Sequence, residues 1–235
     1  MRGARRLAVK LALIALGALL ISALIVQMWF LSQVLWWSSH NPESTAFMRS
    51  RLERLRLHKP GARLEHRWVP YHRISVHLKR AVIAAEDAHF LEHEGFDWDA
   101  IQKAIEINES KGRVVAGAST ISQQLAKNLF LSGRRSWLRK AQEAVITGMI
   151  EASMSKRRIL ELYLNVAEWG ETAFGAEAAA RLHFGSSAAA LDAEQALWLA
   201  AILPSPRRLQ HGGTTRHLAA RIEVIRIGMP HAQVP

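Results

Sequence analysis

The 235-residue chain contains no cysteine. That removes structural disulfides, thiolate metal sites and thiolate nucleophiles, while the compartment stays open because many exported proteins also lack disulfides. There is no internal repeat and little strand-like alternation, which leaves an all-α reading of the soluble part. Acidic residues are the minority: 20 Asp and Glu stand against 31 Lys and Arg, for a formal net charge of +11 and a pI near 10.8. Such an excess implies an anionic partner, whether nucleic acid, a lipid surface or a phosphorylated substrate. The length allows one domain of ordinary size with an appendage.

Charge is also missing from one long stretch. Arg2, Arg5, Arg6 and Lys10 precede a charge-free run from Leu11 through Trp37. Its most apolar part, Leu11 to Leu31, is about 30 Å long as a helix, enough to cross the hydrocarbon core. The segment is long for the apolar region of a cleaved signal peptide, so the expectation is an uncleaved, single-pass anchor. The basic flank stays cytoplasmic and the rest lies outside. Trp29, Trp36 and Trp37 suit the far interface.

The expected organisation is a cytoplasmic basic tail (1–10), a transmembrane anchor (11–37), a basic juxtamembrane linker and helix (38–68), a catalytic domain (69–210) and a C-terminal helix with a tail (211–235). The basic stretch from Phe47 to Arg80 interleaves Arg and Lys with Leu52, Leu55, Leu57 and Trp68. This suits a surface resting on anionic headgroups, and its place outside the cytoplasm argues against nucleic acid. Helices are expected over Val76–Ala85, Ile101–Ile107, from Thr120 through Phe130 with closure at Gly133, from about Ser136, from Ser155 to about Leu164, over Phe174–Leu182, after Asp192 up to Pro204, and near Thr215–Ile227. Thr120 with Gln123 and Asp192 with Gln195 are capping-box pairs. Leu138, Ala141, Val145, Met149 and Ala152 mark the expected buried face of the helix after Ser136.

Three polar sets sit where a plain helical bundle would not need them. Glu86 and Asp87 end an apolar run, and a carboxylate desolvated there gains the raised pKa of a general base or acid. If that helix continues, Glu86, Phe90 and His93 project to one side. On the second set, Gly117–Asn128, the residues Gln124, Lys127 and Asn128 share one face while Ile121, Leu125 and Leu129 take the other. In the third, Arg139 and Glu143 lie one turn apart with Lys140 adjacent. Alone, the first set also reads as a surface helix end carrying solvated acids, and the third as an exposed ion pair. Together, two carboxylates and three cations suit transfer of a group away from a phosphate leaving group: one carboxylate takes the acceptor proton, and Lys and Arg neutralise the departing charge.

Five segments in order, AEDAHFLEHEGFD, GASTISQQLAKNLFL, RKAQEAVITGMIE, SKRRILELYLNVAEWGETAFGAEAAA and ALWLAAILPSP, together resemble the motif set of the peptidoglycan glycosyltransferases. That module occurs in class A penicillin-binding proteins and as a stand-alone, membrane-anchored enzyme. The match covers roughly Val69 to Arg208, and with no transpeptidase module following, the chain looks like the monofunctional form. The resemblance implies a lysozyme-like, two-lobed helical domain whose smaller apolar lobe is partly sunk in the bilayer. It further implies inverting polymerisation of lipid II into β-1,4-linked glycan strands with release of undecaprenyl diphosphate. By residue, it implies Glu86 as the base that deprotonates the acceptor 4-hydroxyl and Glu143 as the second carboxylate, near the donor diphosphate. Lys127, Arg139 and Lys140 match the basic residues around that diphosphate, and Asp87, Phe90, His93, Thr120, Gln124 and Asn128 match residues that shape the cleft. Glu161, Tyr163 and Asn165 match a motif read as structural, and Glu151 ranks below the other two glutamates. Ser205 and His183 depart from the usual pattern. Implied partners are lipid II, the growing lipid-linked strand, membrane lipids and proteins of the division or elongation machinery, with no nucleic acid.

A metal reading rests on His89 and His93, four apart, beside Glu86, Asp87 and Glu92; no third ligand follows at convincing spacing, so no metal site and no tightly bound cofactor are expected. A divalent cation, Mg or Mn, recruited with the substrate diphosphate and met by Asp87 or Glu143, is compatible with the sequence. Two rivals stay open: a hydrolytic or lytic glycosidase on the same scaffold, which has no use for a diphosphate cradle, and a basic membrane-tethered scaffold protein without activity.

Overall fold

The structure, a computed structural model, describes residues 2–131, 136–209 and 215–235. Its architecture is all-α, with eleven helices among the described residues and one two-residue pair of parallel strands. The expected helix closure at Gly133 and the domain boundary after residue 210 lie outside the described residues.

The chain divides into two units, Met1–His40 and Asn41–Pro235. The first is a single helix, α1 (Arg2–Ser39), in which Val9–Ser39 is long and apolar enough to cross a membrane. Ser22, Ser32 and Ser38 turn their hydroxyls back onto carbonyls three or four residues earlier, at 2.7–2.8 Å, so those groups need no outside partner.

In the second unit, α2 (Ala46–Arg56) starts at the Thr45 cap, and α3 (Val76–Glu86) starts at Ser75. Helix α4 (Trp98–Lys111) extends the short helix expected around Ile101 by a turn at each end, because Asp97 caps it by accepting from Ala100 N at 2.8 Å. Helices α5 (Ile121–Phe130), α6 (Trp137–Ser153) and α7 (Lys156–Val166) follow, each with the hydroxyl cap that the sequence supplies at Thr120, Ser136 and Ser155. The remainder are α8 (Ala176–Phe184), α9 (Ala193–Ile202), the short α10 (Pro206–Leu209) and α11 (Arg216–Gly228). Both capping boxes, Thr120 with Gln123 and Asp192 with Gln195, are formed.

Two groups of helices make the core. Helix α3 packs on α9 and α11, burying Leu78, Ala81 and Val82 completely; α5 packs on α2, α6 and α7 through Ile121, Leu125 and Leu129. The segment before α3 is tied to α7 by Asn165, whose side chain accepts from Val69 N at 2.8 Å and donates to Val69 O at 2.9 Å. Glu161 accepts from Tyr71 N at 2.9 Å. The strands, β1 (Glu65–His66) and β2 (Ala173–Phe174), run along the same seam.

Helix α6 corrects an expectation. Its buried residues are Glu143, Ile146, Thr147 and Ile150, whereas Leu138 is 85% exposed and Val145 46% exposed. The apolar stripe through Leu138 and Val145 therefore faces outward, and the face with the carboxylate faces in. The reason is charge pairing: Glu143 enters the interior already neutralised, as shown below.

Candidate functional site

Helix α3 stops at Glu86, so Phe90 and His93 do not continue its face. Asp87 leaves the helical conformation, with φ −166° and ψ 73°, and its carboxylate takes two jobs. One oxygen accepts from Ile121 N, at the start of α5, and the other pairs with His93 Nε2, both at 2.8 Å. An anion at a helix N-terminus is favoured by the exposed N–H groups and the helix dipole. Asp87 thus joins the end of α3 to the beginning of α5. Thr120 tightens the same junction by donating to Gly95 O at 2.7 Å. Phe90 is fully buried beneath it, with Lys156 Nζ 4.8 Å from its ring centroid.

That junction aims Glu86 at α5. Gln124 Nε2 donates to Glu86 Oε2 at 2.8 Å, and Tyr163 on α7 donates its hydroxyl to Gln124 Oε1 at 2.9 Å. On the other side Arg221, from α11, donates to Glu86 Oε1 at 2.8 Å. The carboxylate is almost enclosed, at 11% side-chain exposure. Burial raises its pKa, and the Gln124 hydrogen bond, Arg221 and Lys127 oppose that rise.

One helical turn beyond Gln124, Lys127 carries a pKa lowered chiefly by burial, with Glu143 and Glu86 both acting to raise it. It makes no ion pair among the described residues. Glu143, 4% exposed, binds Arg139 at 2.7 Å and Lys140 through its other oxygen. The structure therefore brings Glu86, Gln124, Lys127, Glu143, Arg139 and Lys140 into one electrostatic neighbourhood spanning α3, α5 and α6. Asn128 lies beside Lys127 on the wall of a cleft of about 600 Å³ that also takes in Gln124, Tyr163, Glu168, Arg207 and Arg208. A second hollow, of about 300 Å³, is lined by Glu86, Asp87, Lys103 and Thr120. Gln124 lines the first cavity and Glu86, the carboxylate to which it donates, lines the second.

Some candidates stand apart from this centre. Glu151 belongs to a different network, accepting from Ser122 at 2.5 Å and from Lys156 at 2.8 Å. His89 pairs with Asp97, and His93 with Asp87, so the two histidines do not converge. Two participants were not visible in the sequence pattern: Arg221, and Glu168, whose pKa is raised by burial although Arg51 lies 2.9 Å and Arg207 3.5 Å away.

A buried acid next to a cluster of cations is the machinery of group transfer from an anionic leaving group. The family model described as Transglycosylase matches residues 53–229, a span that holds Glu86, Gln124, Lys127, Arg139, Lys140, Glu143 and Arg221. The chain belongs to the transglycosylase family. It is 60% identical over 224 residues to a biosynthetic peptidoglycan transglycosylase of Azoarcus sp. (strain BH72), covering 95% of both chains. A protein of the same name from Methylobacillus flagellatus is 56% identical over 93% of this chain and 96% of its own. That from Aromatoleum aromaticum is 56% identical over 100% and 98%. As a transglycosylase, the chain is a glycosyltransferase, and its apolar α1 fits a single-pass membrane anchor.

Proposed function

We propose that this transglycosylase polymerises lipid II into peptidoglycan strands during cell wall synthesis. The acceptor 4-hydroxyl attacks the anomeric carbon of the donor, its proton passes to Glu86, and the bond from that carbon to the diphosphate breaks. The electron pair leaves with undecaprenyl diphosphate, and the new β-1,4 linkage is inverted because the base and the leaving group lie on opposite faces, the acceptor hydroxyl standing where an inverting glycosidase holds water. Lys127, Arg139 and Lys140 take the diphosphate charge, and Glu143 holds the last two in place. The observation that carries this reading is the buried Glu86, fixed by Gln124 one helical turn from Lys127, a cation that makes no ion pair among the described residues.

Both oxygens of Asp87 and both of Glu143 are already engaged, which supports assigning the diphosphate to the three cations. An Mg or Mn ion arriving with the substrate would have to displace those partners. The proposal places the protein in the bacterial inner membrane, with its N-terminus cytoplasmic and its catalytic domain periplasmic. Trp137, Leu138 and Val114, each at least 85% exposed, support contact of that domain with lipid. Proteins of division or elongation are its proposed partners. The test is incubation of the purified full chain with lipid II and separation of polymer from precursor. Long glycan chains that disappear with Glu86→Gln are expected; cleavage products without polymer would reject the reading.

A further inference from the structure

Helix α11 is the last helix of the chain, and 135 residues separate Arg221 from Glu86. Its buried Leu218 and Ile225 hold it on α3 and α9, and Gly228 lets it lie close over Ala84, where a Cβ would stand 3.4 Å from the alanine Cβ. Between those anchors the guanidinium of Arg221 reaches Glu86 Oε1 at 2.8 Å and Ala85 O at 3.4 Å. Its buried Nε has no partner among the described residues. Leaving a buried donor unpaired is costly, so the side chain is held for the contact it makes at its other end.

We infer that Arg221 is the positioning residue of the catalytic base: from the C-terminal helix it holds the Glu86 carboxylate ionised and turned toward Gln124. This rests on the reading of Glu86 as the base. Other groups share the field. Lys127 faces Glu86 from α5, Tyr163 lies behind Gln124 on α7, Asp87 follows it in the chain, and Lys103 of α4 lines the same hollow. Among them Arg221 alone pairs with the carboxylate directly, while Asp87 opposes ionisation.

Burial pushes Glu86 toward its neutral form, which cannot accept a proton, and Arg221 pushes back. Removing the guanidinium therefore moves the acidic limb of activity to higher pH. A merely structural arginine would lower activity by the same factor at every pH.

The experiment uses the full chain in detergent, with two variants and two readouts. Arg221→Gln should lower kcat/KM at pH 6 by about tenfold more than at pH 8.5, since each unit by which a base's pKa rises costs a factor of about ten below it. The carbon-13 titration of the Glu86 carboxylate, assigned by its loss in Glu86→Gln, should move upward in the same variant. Arg221→Lys keeps the cation and preserves the fold if the Gln variant does not fold. It should hold the parental pH profile with a reduced kcat. A pH-independent loss in Arg221→Gln, an unmoved Glu86 titration, or a Lys variant identical to the parent in kcat would each overturn the inference. Failure of the unaltered chain to polymerise lipid II would instead sink the proposed function, and the titration still reports on Arg221.

Discussion

Tyr163 donates its hydroxyl to Gln124 Oε1 at 2.9 Å, and Gln124 passes its amide to Glu86 at 2.8 Å. A tyrosine in a motif read as structural therefore fixes which way the Gln124 amide points. Without that donor the amide can turn over and offer Glu86 an oxygen in place of a nitrogen. Tyr163→Phe should cost about 1 kcal/mol of stability and about fivefold in kcat, both measurable by thermal unfolding and single-turnover polymerisation. A fully active Phe variant would show that the amide needs no such support.

Glu86→Gln should abolish turnover by a factor of about 10² to 10⁴, the usual contribution of a positioned base. Its effect on stability has the opposite sign. Burial raises the pKa of Glu86, so the fold prefers the protonated acid. The parent consequently loses stability as pH rises from the ordinary glutamate range through that raised value, and the loss persists above it. The Gln variant has no such proton to lose. Its melting temperature at pH 7.5 should equal or exceed the parent's, and the gap should narrow as the pH is lowered toward 4. A variant less stable at pH 7.5 would mean that the Arg221 pairing outweighs the burial penalty.

Much of this site is legible in the sequence because it is local. Thr120 with Gln123 caps α5, and Gln124, Lys127 and Asn128 follow at helical spacing; Arg139 and Glu143 are one turn apart. What sequence hides is the choice between equivalent stripes. Leu138, Val145 and Met149 repeat as regularly on α6 as Glu143, Ile146 and Ile150, and hydropathy favours the first. The second is buried because Arg139 and Lys140 neutralise the acid on its way in. Likewise, apolar spacing gives no reason for α3 to end at Glu86; the end is imposed by Asp87 turning to cap α5. Arg221 has no local signal, being one of several arginines on a terminal helix, and only the packing of α11 on α3 gives it a partner.

Arg139 and Lys140 share Glu143 unequally. Lys140 is 43% exposed and Arg139 19%, so Lys140→Ala leaves Glu143 with its better-buried partner. Stability should change by less than about 1 kcal/mol, while kcat/KM falls by about a hundredfold or more if the ammonium meets the diphosphate. Arg139→Ala should be the more destabilising, by about 3 kcal/mol, because it strips a buried carboxylate of its main cation. Denaturant titration of the two variants beside their polymerisation rates separates the roles. Normal turnover in Lys140→Ala would reject its place at the diphosphate.

The loop that carries Asp87 and His93 toward α5 depends on Gly95. Its φ is +95°, and a Cβ there would stand 2.8 Å from Thr147 Cγ2 and 3.0 Å from Glu151 Cγ. Gly95→Ala thus combines backbone strain of about 1–3 kcal/mol with a clash against α6. Relief requires the loop to move, and the Gly95 carbonyl that accepts from Thr120 moves with it. Gly112→Ala is the control, since Gly112 also has positive φ, +61°, but nothing within 4 Å of its added Cβ. The Gly112 variant should lose about 1 kcal/mol and keep its activity. The Gly95 variant should lose more stability and also activity, because displacing Thr120 disturbs the start of α5 and with it the aim of Gln124 at Glu86. Equal melting temperatures and equal rates for the two variants would show that the contacts of this loop with α6 do not set the geometry of Glu86, the proposed base.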